Sequence, residues 1–361
     1  MKKFIFPIIA IFTLLSATGC STKFKLDAPY KNITIVSGFL DEADTAHYIR
    51  IEKAFLDANQ SAITLAKNPD SNYYPNLNVI VEQVDFLNTG NIINTFPLNK
   101  VDLNLEGYPK DTGVFFNAPN YAYKFKNFLD PNYSYRIVIT NPATGAVDSA
   151  ESPIIDDVDA GSITVNVLDN TSLNLDGLEF SVPNTYCEIA AAYNGPSNYN
   201  FYGQTSPVAL AEAVIVFNWI DSNIANGTET AHSYTFNAGY YTPINNYIDY
   251  KINDLSLYSA IFAGMGDAPA NIARIFLKCN LIIYLGTPDF ESYQQSALSQ
   301  GVGLTANEVE PIYTNVKGAN AYGIYTSRGV RSGTIGFSAE TMDSLKNGSI
   351  LKNANIVGFS Y

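Results

Sequence analysis

Hydrophobic and polar positions alternate in short runs along most of this chain. Ile33 to Leu40, His47 to Phe55, Leu77 to Phe86, Val101 to Leu105 and Tyr133 to Thr140 are rich in β-branched and aromatic residues, and Gly, Pro, Asn and Asp clusters separate them. These runs predict strands. Tyr133 to Thr140, then Asn141-Pro-Ala-Thr-Gly145 and Ala146 to Ser149, predicts a hairpin in which Gly145 takes a turn conformation that other residues resist. Roughly five to seven such strands between residues 31 and 153 predict an immunoglobulin/fibronectin-like β-sandwich. One helical interruption is expected at Ser61 to Lys67, before Asn68-Pro69-Asp70.

The acidic stretch Ile154 to Gly161 marks a boundary. Beyond it, residues 162–361 read as a second, β-rich α+β domain. Ser162 to Leu168 and Leu178 to Pro183 look like strands, and Ala213 to Ile220 pairs with Ala231 to Asn237 across a loop containing Gly and Asn. Helices are expected at Asp254 to Ala263, Asp289 to Leu298 and Ala339 to Asn347, the last capped by Ser338. The predicted fold is therefore mainly β with some α, a sandwich followed by a β-rich domain carrying a few helices.

The first thirty residues follow another pattern. Met1-Lys2-Lys3 is basic, Phe4 to Leu15 is apolar, and Ser16-Ala17-Thr18-Gly19 leads into Cys20, the layout of a bacterial lipoprotein signal. As a helix that run spans about 20 Å, short of a hydrocarbon core of ~30 Å, so a cleaved leader fits better than a retained membrane helix. Residues 1–19 are the expected leader, Cys20 the lipidation site and residues 20–30 the tether. No later stretch reaches the ~18 to 20 apolar residues of a spanning helix, so the lipid is the one membrane contact expected.

Loss of Lys2 and Lys3 leaves 19 basic residues against 34 acidic ones, a net charge near −15. Such a surface argues against nucleic-acid binding and polybasic membrane recognition. With Cys20 committed to lipid, Cys187 and Cys279 remain, either to pair as a disulfide or to stay buried thiols.

No catalytic constellation stands out. The two histidines, His47 and His232, fall in predicted strands without Ser, Cys or Asp partners, which favours exposed or edge-strand roles over catalysis. Gly-x-Ser-x-Gly, His-Glu-x-x-His, Cys-x-x-Cys and phosphate-cradling Gly loops are absent. Asp156-Asp157-x-Asp159 and Asn174-x-Asp176-Gly177 are oxygen-rich, but the second has Pro183 where a bidentate Glu would be needed, and both read as turns. No cofactor or metal is expected.

Tyrosine is abundant, at 25 residues with 21 Phe, and clusters at Tyr73-Tyr74, Tyr121 to Tyr123, Tyr193 to Tyr202 and from Tyr240-Tyr241 through Tyr250. Strand faces use tyrosine for packing. The Asn-rich loop bearing Tyr193, Tyr199, Phe201 and Tyr202 is the stretch best suited to stack on a glycan or other small ligand.

Two spans carry a resemblance. Ile35 to Leu40, Asp44-Thr45 and Tyr48 to Phe55 form the first; Phe290-x-x-Tyr293, Pro311-x-Tyr313-Thr314-Asn315-Val316, Gly318 and Gly323 to Arg328 form the second. Together they resemble two-domain Bacteroidota lipoproteins grouped under a domain of unknown function. Gly38, Gly318 and Gly323 read as turns, Ile49 and Ile51 as one strand face, and Phe55 and Tyr325 as packing. The resemblance implies an outer-membrane lipoprotein often encoded beside TonB-dependent receptors, and so a non-enzymatic accessory or ligand-binding partner of such a receptor. A carbohydrate-active or other hydrolase and a structural envelope scaffold are the alternatives. In such lipoproteins an acidic cluster after the cysteine favours surface display; its absence here favours the periplasmic face. Asp44-Thr45-Ala46, Asp148-Ser149-Ala150 and Asp343-Ser344-Leu345 resemble short O-glycosylation acceptors of the same bacteria.

Overall fold

The structure, a computed structural model, describes residues 33–54, 61–85, 90–155, 163–164, 172–173, 186–193, 208–242, 247–299, 313–337 and 339–360. The first unit comprises β1 (Thr34–Asp41), β2 (Ala46–Lys53), α1 (Ala62–Ala66), α2 (Pro69–Asn72), β3 (Asn78–Asp85), β4 (Ile92–Pro97), β5 (Asn99–Asp102), β6 (Tyr121–Lys126), β7 (Tyr133–Thr140) and β8 (Val147–Pro153). Ser61 caps α1, its Oγ accepting the Thr64 amide at 3.2 Å.

Strands β1-β2-β6-β5 lie side by side, and β4-β3-β7-β8 form a second sheet. That is the Greek-key order of an immunoglobulin-like sandwich. Alternation sets the inward faces: Val36, Ile49, Ile51 and Phe125 meet Val79, Val81, Ile137 and Ile139 in one core. Each such side chain contributes about 1.5–3 kcal/mol by leaving water. Tyr135, near the start of β7, is fully buried, and its hydroxyl accepts the Asp130 amide at 2.8 Å. This is the tyrosine corner of immunoglobulin-like domains. The β7–β8 turn forms as its sequence predicts, with Gly145 at φ +72° and its amide donating to Asn141 O at 2.8 Å.

The second unit holds β9 (Ile163–Thr164), β10 (Ser172–Leu173), β11 (Tyr186–Tyr193), β12 (Leu210–Asn223), β13 (Glu229–Tyr241), β14 (Tyr247–Asn253), α3 (Asp254–Met265), β15 (Ile272–Phe276), β16 (Cys279–Gly286), α4 (Pro288–Ser299), β17 (Ala321–Phe337), α5 (Ala339–Asn347) and β18 (Ile356–Phe359). β12 pairs with β13 along one edge and with β16 and β15 along the other. Its inward residues Ile215 and Phe217 pack with Phe276, Leu281 and Ile283 against Leu257, Tyr258 and Ile261 of α3 and Leu345 of α5. Buried Arg274 secures the end of α3, donating to Met265 O at 3.0 Å and Gly266 O at 2.6 Å while its Nε meets Asp221 at 3.1 Å.

Strand β17 joins the units. Ala321 to Arg328 pair in parallel with β1, and Arg328 to Ile335 pair antiparallel with β16, producing an 11-stranded sheet. Val316, Ala321 and Tyr325 complete the first core, whereas Phe337 belongs to the second. The unit beginning at residue 31 thus draws part of its core from residues that a division at 153/162 assigns to the other domain.

Several expectations are corrected. Gly38 and Gly323 lie within β1 and β17 and are not turns; Gly318 does sit at a bend. β5 ends at Asp102, and Leu103 to Gly107 form turns instead of continuing the strand. β4 and β6 had no counterpart in the sequence pattern. His47 is buried beside Phe125 instead of exposed, because it shares the inward face of β2 with Ile49 and Ile51. Of the expected strands Ser162 to Leu168 and Leu178 to Pro183, only Ile163–Thr164 lies within the described residues, and Phe55 and the Ser338 cap lie outside them.

Candidate functional site

The cleft with the most directed chemistry forms where β13 ends. Ala213 pairs with Gly239 but Val214 with Asn237, so β13 carries one extra residue. Asn237 Oδ1 accepts the Gly239 amide at 2.7 Å, and Gly239 takes φ +93°. Such a bulge bends its strand and re-aims the side chains that follow. Those are Tyr240, Tyr241 and Thr242, which with Leu210 of β12 and Glu291, Gln294 and Gln295 of α4 surround about 160 Å³.

The opposite wall is held by the start of α4. Thr287 Oγ1 accepts the Phe290 amide at 3.3 Å, its carbonyl accepts the Glu291 amide at 2.9 Å, and Pro288 occupies the first helical position. The Phe290 ring stands edge-on to Phe39 of β1 at 5.7 Å, in space that Gly286 leaves open; a Cβ there would fall 2.3 Å from that ring. Asp289 accepts from Asn315 Nδ2 at 3.0 Å and from the Tyr313 hydroxyl, which burial and this carboxylate push up to about 12. Asn315 also brackets the Tyr325 backbone, donating to its carbonyl at 2.7 Å and accepting its amide at 3.0 Å. The second resembling span therefore builds a joint: it locks α4 to β17 and to the first unit.

On this fixed helix, Gln295 Nε2 donates to Glu291 Oε1 at 3.2 Å, so the pair offers a ligand one amide oxygen and one carboxylate oxygen. Burial raises the Tyr240 hydroxyl above the ordinary tyrosine value and Glu212 raises it further, which keeps it a protonated donor. Tyr240 is 47% exposed. The Tyr240 ring, two amides and one carboxylate line the cleft, while Tyr241 borders it with its ring packed against the second core. An exposed phenol ring covers the C–H face of a sugar while amide and carboxylate groups take its hydroxyls. The volume, below the ~300–1,000 Å³ of drug-sized sites, suits one ring or a chain end.

The other sequence candidates are dispersed. Tyr199, Phe201 and Tyr202 lie outside the described residues, as do Cys20, the Asp156–Asp159 and Asn174–Gly177 loops, and the side chains of Tyr193 and Cys187. Cys279 is buried in the second core. Tyr73, Tyr74 and Tyr123 are buried packing residues. His232 stacks on Trp219 at 5.6 Å, and its Nε2 lies 3.6 Å from Asp221, which also accepts from Trp219 Nε1 and Arg274. Among the short Asp-Ser/Thr motifs, Thr45 is exposed at the β1–β2 turn, Ser149 is half-buried in β8, and Ser344 is buried in α5. Among the described residues no group of three His, Cys, Asp or Glu could hold a metal, and no helix is long and apolar enough to cross a membrane. Sequence reasoning noticed Tyr240-Tyr241 but not Glu291, Gln294 and Gln295, whose only signal was the amide-rich Gln294-Gln295 pair on a predicted helix.

No protein-family model matches the chain, and no curated protein matches it. Among solved structures, the C-terminal globular domain of an oligosaccharyltransferase from Pyrococcus abyssi aligns at 8% identity with a TM-score of 0.22. The alignment covers 69% of this chain and 47% of that one, a likeness that assigns no function.

Proposed function

We propose that this chain is a non-enzymatic lipoprotein of the outer membrane, of the two-domain Bacteroidota kind its two spans resemble. A lipid on Cys20 holds it at the periplasmic face. Its second unit binds a small polyhydroxylated ligand, a sugar or the end of a glycan, as accessory to a TonB-dependent uptake receptor. The observation that carries the ligand reading is the cleft in which Tyr240 stands beside Glu291, Gln294 and Gln295. Aromatic faces beside directed amide and carboxylate groups are binding chemistry, whereas glycoside cleavage of the usual kind needs two convergent carboxylates about 5–10 Å apart.

The accessory role is tested by purifying the tagged, lipidated protein from its native membrane beside a Cys20→Ala control. Recovery of a TonB-dependent receptor with the lipidated form alone is the expected result. Recovery of the lipidated protein by itself would remove the receptor from the reading.

A further inference from the structure

We propose that the end of the sandwich where the tether enters is itself a membrane-contacting surface, resting on the bilayer that holds the Cys20 lipid. This rests on the lipoprotein reading above. Strand register fixes the geometry. Thr34, the first residue of β1, pairs with Lys53 at the end of β2. The β2–β6 ladder pairs Ile49 with Tyr123, and continued by two residues it sets Ile51 level with Tyr121, where the 103–120 loop rejoins the sheet. Neighbouring strands lie about 4.8 Å apart, so the entry point and this loop share one end of the sheet, separated by roughly 10–15 Å. Twelve residues, 21 to 32, separate Cys20 from Ile33. Even fully extended they let Ile33 stand no more than about 47 Å from Cys20, which keeps that end of the sandwich near the lipid.

Large apolar side chains are exposed on the 103–120 loop and on α1, and Glu106 ties the loop to Tyr48 of β2 and Lys124 of β6. Leu105 is 88% exposed, Ile63 of α1 60%, Tyr108 57% and Val114 55%. The loop is tightly built. Asp102 Oδ1 accepts the amides of Asn104 and Asn120, Asn104 Oδ1 accepts that of Lys110, Asn120 Nδ2 reaches Tyr108 O, and the Phe116 amide donates to Ala66 O on α1. A loop so braced holds its apolar side chains outward by design of the backbone. Lys110 lies over the Phe116 ring at 4.1 Å, a cation on an aromatic stem beside the patch, as at a headgroup boundary. The net charge opposes adsorption to anionic lipid, so contact here depends on shallow apolar insertion. A patch too small to bind a membrane from solution suffices once a tether supplies a high effective concentration. Strand β17 leaves the tether end at Ala321 and carries the second unit, with its cleft, toward the opposite end.

The test uses the full lipidated protein on phosphatidylcholine/phosphatidylethanolamine vesicles with brominated acyl chains, which quench tryptophan on contact. The single native tryptophan, Trp219, is buried in the second unit and gives a constant background. Leu105→Trp places a reporter in the patch. Phe128→Trp places one at a site 74% exposed beyond the end of β6 farther from the tether. Loss of the added emission for Leu105→Trp, with emission kept for Phe128→Trp, is the expected result. Protein that floats with the vesicles while Leu105→Trp stays unquenched would overturn the surface and leave the anchor standing, as would equal quenching at both sites. Failure of the wild-type protein to float would overturn the anchor and the surface with it.

Discussion

Gly38 of β1 and Tyr325 of β17 are register partners that share one space: a Cβ at position 38 would stand 2.8 Å from Tyr325 Cδ2, on a ring that is fully buried. Gly38→Ala must therefore displace a packed ring, and a loss of about 1–3 kcal/mol is expected. Gly323→Ala should cost more, since its φ is +119° and a Cβ there would lie 1.9 Å from Val36 O. Because β17 belongs to both units, Trp219 fluorescence in the second unit should report the loss in a denaturant titration. An unchanged Trp219 midpoint beside a shifted circular-dichroism midpoint would mean that the units unfold separately.

The tyrosine corner makes a narrower prediction. Tyr135→Phe keeps the ring in the core but leaves the Asp130 amide without its acceptor. A loss of about 1–2 kcal/mol is expected, read as a lower denaturation midpoint at unchanged slope. A stability equal to wild type would show that solvent satisfies the amide at no cost.

His47 sets a pH dependence. Its Nε2 lies 3.0 Å from Asn127 O, so that nitrogen carries the proton, and buried Nδ1 has no hydrogen-bond partner among the described residues. Burial, partly offset by the Asn127 carbonyl and the charges of Asp44 and Asp41, lowers its pKa below the model-compound 6.5. The unfolded chain then binds the proton more readily, so stability falls as pH drops through 6.5 toward the folded value. Asp41, raised by burial, acts the opposite way at lower pH, where protonation favours the folded state. Replacing His47 with Phe should flatten the decline in melting temperature between about pH 7.5 and 5.5; an unchanged decline would place the sensitive group elsewhere.

What the sequence displayed was local pattern. Tyr133 to Thr140, the β12–β13 pairing and the helices beginning near 254, 289 and 339 are each specified by their own residues, and the structure places them there. β4 was hidden because its residues are nearly all exposed and include Asn94 and Thr95, so no alternation marks it. Gly38 and Gly323 were misread because a glycine in a strand and a glycine in a turn look alike until the neighbour that requires it is known, and here the neighbours come from residues some 290 positions away. For the same reason the cleft was half visible: Tyr240-Tyr241 announces an aromatic edge, but the carboxylate and amides opposite arrive on a helix fifty residues later.

Within the cleft, Tyr240→Ala and Gln295→Ala should each weaken ligand binding about tenfold or more by removing a stacking face or a directed hydrogen bond. Gln295 is exposed and Tyr240 half exposed, so melting temperatures close to wild type are expected for both.

The most direct measurement is titration of the full protein with a panel of neutral sugars, glucose, galactose, mannose and N-acetylglucosamine and their short oligomers, followed by NMR or calorimetry. At least one should bind with a dissociation constant in the micromolar to millimolar range, about −4 to −8 kcal/mol, and lose affinity in both variants. If no sugar binds, or one binds equally well to wild type and both variants, the cleft is not the ligand site and the binding account is contradicted.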